Sequence, residues 1–165
     1  MHYLLNVCGI ATAAVAFAAF APSAVAQQNT FTFTCQDVGI SPPEPLGDRE
    51  GHSISVGQFS CRIDSGPMSG GVGTGTVTWE WDKTNAVLLS GSAVLRKPGA
   101  TEVEVYTGGK IALTMADGKV TGFTASGRGS YPMAIGGAAS LAGKSFTWTA
   151  KSTGPGQFEG DHKAE

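Results

Sequence analysis

From residue 30 onward the chain alternates apolar and polar positions with period two, the spacing of strands that bury one face. Phe31, Phe33 and Cys35 share one phase of a first strand, and Thr30, Thr32 and Thr34 the other. A second run sets His52, Ile54 and Val56 in one phase and Phe59, Cys61 and Ile63 in the opposite one, so a β-bulge at Gly57-Gln58 is expected to restore a single buried face. Val77, Trp79 and Trp81 alternate with Thr76, Thr78 and Glu80, which places Glu80 toward solvent. After a turn at 82–85, Val87, Leu89, Ala93 and Leu95 fall in phase. Val103 and Val105 are set against Glu102, Glu104 and Tyr106, and Ile111, Leu113 and Met115 form the next run. Gly108-Gly109 and Asp117-Gly118 read as hairpin turns, because primed turns need positive φ. Runs at 120–131 and 145–151 bring the count to eight strands.

Longer connections are expected at 38–51, 64–73 and 132–143, with one short helical turn around Ala138–Ala142. Eight short strands joined mostly by tight turns predict an all-β, antiparallel, eight-stranded up-and-down barrel, since closure removes exposed edges. A Greek-key β-sandwich is the alternative. The expected domain spans 27–153, followed by a polar tail at 154–165 that frays.

Ahead of the strands, residues 4–21 are almost entirely apolar, Pro22 breaks the run and Ala24-Val25-Ala26 matches the small-x-small pattern of signal peptidase. Residues 1–26 therefore read as a helical signal peptide cleaved after Ala26, leaving no stable membrane insertion and a secreted protein of the bacterial periplasm. Cys8 leaves with that segment. Cys35 and Cys61 remain, an even pair in an oxidising compartment, and read as one disulfide closing a loop of about 25 residues, a constraint of roughly 3 kcal/mol. The formal net charge of −2 gives no reason to propose nucleic acid as a partner. About one residue in six after residue 26 is glycine, which disfavours long helices.

The stretch Gly73–Trp148 orders a tryptophan strand, a glycine-interrupted strand, the two hairpins, Gly127-Arg128-Gly129-Ser130-Tyr131, and Leu141-Ala142-Gly143 before the last strand. This order resembles the secreted bacterial relatives of allene oxide cyclase and dirigent proteins, eight-stranded lipocalin-like barrels. The resemblance implies a barrel with an apolar central cavity that holds a hydrophobic molecule, used in some members to steer cyclisation or coupling. It carries over the fold and no catalytic side chain.

No motif assigns a cofactor or a metal. Gly70-Gly71-Val72-Gly73-Thr74-Gly75 lacks the Lys-Ser/Thr ending of a phosphate loop and leads into a strand. His52 and His162 are the only histidines after residue 26. His52 follows Asp48-Arg49-Glu50-Gly51 and, if the protein is an enzyme of the cyclase or isomerase kind, His52, Glu50 and Tyr131 are the candidates to move a proton; otherwise the segment is a solvated loop. Trp79, Trp81, Phe146 and Trp148 have the phase of a buried face and are candidates to line a ligand cavity or to fill a core, and Arg128 between two glycines is a candidate to reach into it. The expected partner is a small hydrophobic molecule, and a purely structural envelope role is the competing reading.

Overall fold

The computed structural model describes residues 30–40 and 42–165, so the signal-peptide expectation at 1–26 lies outside the described residues. In chain order the strands are β1 (Thr30–Ile40), β2 (Glu44–Pro45), β3 (His52–Ile63), β4 (Val72–Asp82), β5 (Asn85–Lys97), β6 (Ala100–Ala116), β7 (Lys119–Gly136), β8 (Ser145–Gly154) and β9 (Gln157–Ala164). A single turn of 3-10 helix at Ala139–Leu141 sits between β7 and β8, where the sequence predicts one. All strands but β2 join one antiparallel up-and-down barrel: each pairs with its chain neighbours, and β1 closes the ring by pairing with both β3 and β9. The two-residue β2 continues the β1 side of β3, opposite Ser53 and Ile54. The predicted barrel, rather than the alternative sandwich, is therefore the fold realised, with eight strands around the ring.

The count of eight agrees with the sequence pattern, but two of its members differ. Gly108-Gly109 is no hairpin; both lie inside the 17-residue β6 and neither has positive φ. Thr107 is an extra residue between the Tyr106–Gly129 and Gly108–Arg128 pairs, and this bulge reverses the inward phase of the strand, so the alternation breaks without the chain turning. The residues expected to fray are the eighth strand instead. Gln157–Ala164 hydrogen-bonds to β1 on one side and β8 on the other, with Phe158, Gly160, His162 and Ala164 pointing inward. Its polar composition hid it, because three of its four outward positions are Glu159, Asp161 and Lys163.

Bulges also move other residues from their predicted faces. β3 runs against β4 from His52↔Asp82 to Arg62↔Val72 without a register shift, so no bulge occurs at Gly57-Gln58. Ser55, Gly57, Phe59 and Cys61 face inward, and Val56 faces out. In β5 the slip lies opposite Thr78/Trp79: Ala86 is buried and Leu88 packs against the core, while Val87 and Leu89 are exposed. In β6 Glu102 and Glu104 are the inward pair, at 0% and 1% exposure, and Val105 faces solvent. Asp117-Gly118 does turn the chain, both residues at positive φ (50° and 73°).

Inward glycines make room for aromatic rings. A Cβ on Gly127 or Gly109 would stand 2.6 or 2.5 Å from Trp148 Cζ2, and one on Gly160 would stand 2.8 Å from Phe33 Cζ; Gly129 lies in the same way under Phe146. Ring atoms occupy the space a Cβ would need, a fit that a side chain at these positions would abolish. Cys35 and Cys61 are direct cross-strand partners, Cα–Cα 4.0 Å, and form the disulfide that staples β1 to β3.

A chain ending at Gly154 leaves β1 and β8 with open edges, so it is expected to lose the cooperative thermal transition and to aggregate, whereas a dispensable tail would leave circular dichroism and melting unchanged. Replacing Cys35 and Cys61 by alanine is expected to cost roughly 2–4 kcal/mol in urea denaturation with the barrel retained.

Candidate functional site

The strands' inner faces enclose a cavity of about 280 Å3, nine of whose lining residues are Phe, Tyr or Trp. One end of the barrel is plugged: Met68 from the β3–β4 connection, Tyr131, Ala138 and Leu141 are all buried there at 3% exposure or less. Toward the other end, where the β4–β5, β6–β7 and β8–β9 turns lie, the inward residues Asp37, Trp81, Leu113, Phe123 and Phe158 are half-buried, and this end forms the mouth.

Trp79, Trp81 and Trp148 line the cavity, as their phase predicts. Trp81 donates its indole N–H to Ser55 Oγ at 2.8 Å, whereas Trp148 Nε1 is buried without a partner. Phe146 belongs to the packed end rather than the cavity wall, stacked on His162 (centroids 4.5 Å, 17°) and against Tyr131 (4.6 Å). Arg128 is outward and exposed, so it does not reach the interior; the inward positions beside it are Gly127 and Gly129.

His52 is buried at 7% exposure, but on the outer face of β3 beneath the 46–51 loop. Its Nδ1 bonds Asp48 Oδ1 and its Nε2 lies 2.7 Å from Glu80 Oε1, so the outward, partly exposed Glu80 is also a partner of the histidine. Hydrogen bonding to Asp48 first, and to Glu80 second, raises the His52 pKa. Both ring nitrogens are spent on the protein's own carboxylates, Glu50 is exposed nearby, and Tyr131 lies at the other end of the barrel; the three proton-transfer candidates do not form one site. His52 is instead a clasp that pins the loop to the barrel wall.

The polar group that does face the cavity went unremarked in the alternation. Glu104 receives a hydrogen bond from Tyr106 OH at Oε2 (2.8 Å), and His162 Nδ1 stands 2.9 Å from Oε1. That second approach is at ion-pair distance but too oblique for a hydrogen bond, which leaves Oε1 without a donor. Two positions earlier, on the same face and toward the plug, both carboxyl oxygens of Glu102 and the Tyr131 hydroxyl are buried without partners. Burial, followed by the charge of Glu104, pushes the Glu102 carboxyl up to about 8. The same causes push Tyr131 far up, and burial with Glu104 does so for Tyr106. At neutral pH Glu102 is thus an uncharged acid beside Glu104, an arrangement that keeps two adjacent carboxyls inside an apolar barrel. Burial also raises Asp37, at the mouth.

No group of His, Cys, Asp and Glu side chains among the described residues has the geometry to hold a metal ion. The fold and site define a class: a closed, lipocalin-like antiparallel barrel with an aromatic cavity and an acid–histidine–tyrosine group on its wall. No family model and no curated protein matches the chain; of the resemblance to allene oxide cyclase and dirigent proteins, the structure shows the eight-stranded, lipocalin-like barrel alone.

Because its carboxyl titrates near 8 in the folded state and near 4.5 in the unfolded one, Glu102 makes the native protein hold the extra proton between those values. Stability is expected to fall as pH rises through that window, with a limiting slope of about 1.4 kcal/mol per pH unit, and to level off above it. Glu102→Gln is expected to flatten this part of a urea-midpoint profile. His52 acts in the same direction: its contribution is full below its unfolded pKa of 6.5 and is lost as pH rises through its raised folded value, so His52→Ala is expected to free the 46–51 loop to proteolysis most visibly at acidic pH.

Proposed function

We propose that this protein is an exported binding protein that holds one small, mostly apolar molecule inside its barrel. The observation that carries the reading is the aromatic cavity of about 280 Å3 with unpartnered polar atoms on its wall, Glu104 Oε1 and Trp148 Nε1. A core filled only for stability gains nothing from leaving such atoms unsatisfied, since each costs on the order of 1–3 kcal/mol. A ligand that supplies partners recovers that cost. Export is supported by the alanine-rich segment ending at Ala26 and by the Cys35–Cys61 disulfide. No helix among the described residues is long and apolar enough to cross a membrane.

A second reading is an enzyme acting on an apolar substrate in the same cavity. It is favoured by the contact of Glu104 with His162 and Tyr106, groups able to exchange a proton, and it no longer involves His52 or Glu50.

All three tryptophans line the cavity, so their fluorescence reports its occupancy. Titration with 1-naphthalenemethanol is expected to quench them saturably at one molecule per chain. Ala125→Phe, which places a ring in the cavity, is expected to abolish that quenching with the barrel's circular dichroism intact. Linear, unsaturable quenching that the variant does not alter would sink the binding reading.

A further inference from the structure

The cavity wall carries charge of one sign. Among the described residues, Asp37 at the mouth and Glu104 in the interior are its acidic members, and no lysine or arginine lines it. His162 is the one lining side chain able to take a positive charge, and it already faces Glu104. The wall thus sets two carboxyl groups against a single imidazole. Around them stand aromatic faces, among them Trp79, Trp148 and Tyr106, and aromatic faces attract cations.

From this arrangement we infer that the cavity is selective for a lipophilic amine, bound as its ammonium ion, and discriminates against apolar molecules that carry a carboxylate. This inference rests on the binding reading above. Glu104 Oε1 is the anchor: it is buried, has no hydrogen-bond donor, and belongs to a residue that lines the cavity. An ammonium N–H placed there completes its coordination, and the low-dielectric surroundings strengthen the contact. A carboxylate in the same place would face Glu104 with no fixed cation to offset the repulsion. The buried Trp148 Nε1–H adds one donor on the wall, a place for a single neutral acceptor atom such as a hydroxyl or ether oxygen of the ligand. Tyr106 supports the anchor by holding Oε2, while Oε1 has the oblique approach of His162 Nδ1 at 2.9 Å and no hydrogen bond. Asp37, half-buried at the mouth, places a second carboxyl along the way to the interior.

The test is a calorimetric titration of the purified protein at neutral pH with three molecules of nearly one shape: 1-naphthalenemethylamine, 1-naphthalenemethanol and 1-naphthoic acid. The amine is expected to bind roughly tenfold to a hundredfold more tightly than the alcohol, and the acid more weakly than either. Glu104→Gln keeps the size of the side chain and its bond from Tyr106, and is expected to bring amine and alcohol to equal affinity while the alcohol's own affinity persists. The wild-type order of the three ligands decides the matter even where that variant fails to fold. Alcohol binding with no preference for the amine, or acid binding as tight as the alcohol's, overturns the inference and leaves the binding reading standing. A preference for the amine that survives in a folded Glu104→Gln protein overturns the assignment of Glu104 as the anchor. Binding of none of the three overturns the binding reading and the inference with it.

Discussion

Everything inside this molecule depends on β1 being hydrogen-bonded along both edges. Its register with β3 joins the start of the barrel, its register with β9 joins the end, and the strand that makes the second joint is the last one in the chain. Until β9 is in place the sheet is open, the inner faces of β1 and β8 meet water, and no enclosed volume exists. Closure converts one curved sheet into a container, and it also buries Glu104 opposite His162, a residue of the closing strand itself. The acid group and the barrel are therefore completed by the same event. The Cys35–Cys61 disulfide adds a covalent tie across the other joint.

The glycines acquire their meaning inside that ring. An eight-stranded barrel is narrow, and its interior can be packed shut or left partly open. Here aromatic rings lie across inward glycines of neighbouring strands, Trp148 over Gly109 and Gly127 and Phe146 over Gly129, so that large side chains stay close to the wall. Space remains toward the mouth, while the opposite end is shut by Met68, Leu141 and the Tyr131–Phe146 stack. The container thus has a floor, an aromatic wall and one entrance.

Placing two glutamates in such an interior is expensive, and the structure manages the cost unevenly. Glu104 is supported by Tyr106 and His162, whereas Glu102 avoids charge by keeping its proton. An interior tuned only for stability would carry leucine at these positions, because alternating valines stand ready one residue away at 103 and 105 and face outward instead. That inversion, acids in and valines out, places two carboxyls in an otherwise apolar interior.

Much of the architecture was legible in the residues. Period-two alternation, the Asp117-Gly118 turn, the tryptophan strand and the cysteine pair together specify antiparallel strands, their approximate limits and the disulfide, because each rests on local backbone geometry or on redox chemistry. The acid group was not legible. Alternation tells which residues share a face but not which face is inside, and a single bulge, such as the extra Thr107 or the slip before Ser90, exchanges the two. Hydrophobicity normally breaks that tie, and in β6 it pointed the wrong way. The same holds for the polar β9, whose pairing depends on two distant edges in need of a partner rather than on its own side chains. Neighbours along the chain thus determine that strands form, that Asp117-Gly118 turns and that Cys35 and Cys61 are available to pair. Only the tertiary structure decided which faces look inward, which strand closes the ring and that Glu104, Tyr106 and His162 meet, because burial is settled by the closure of the whole sheet.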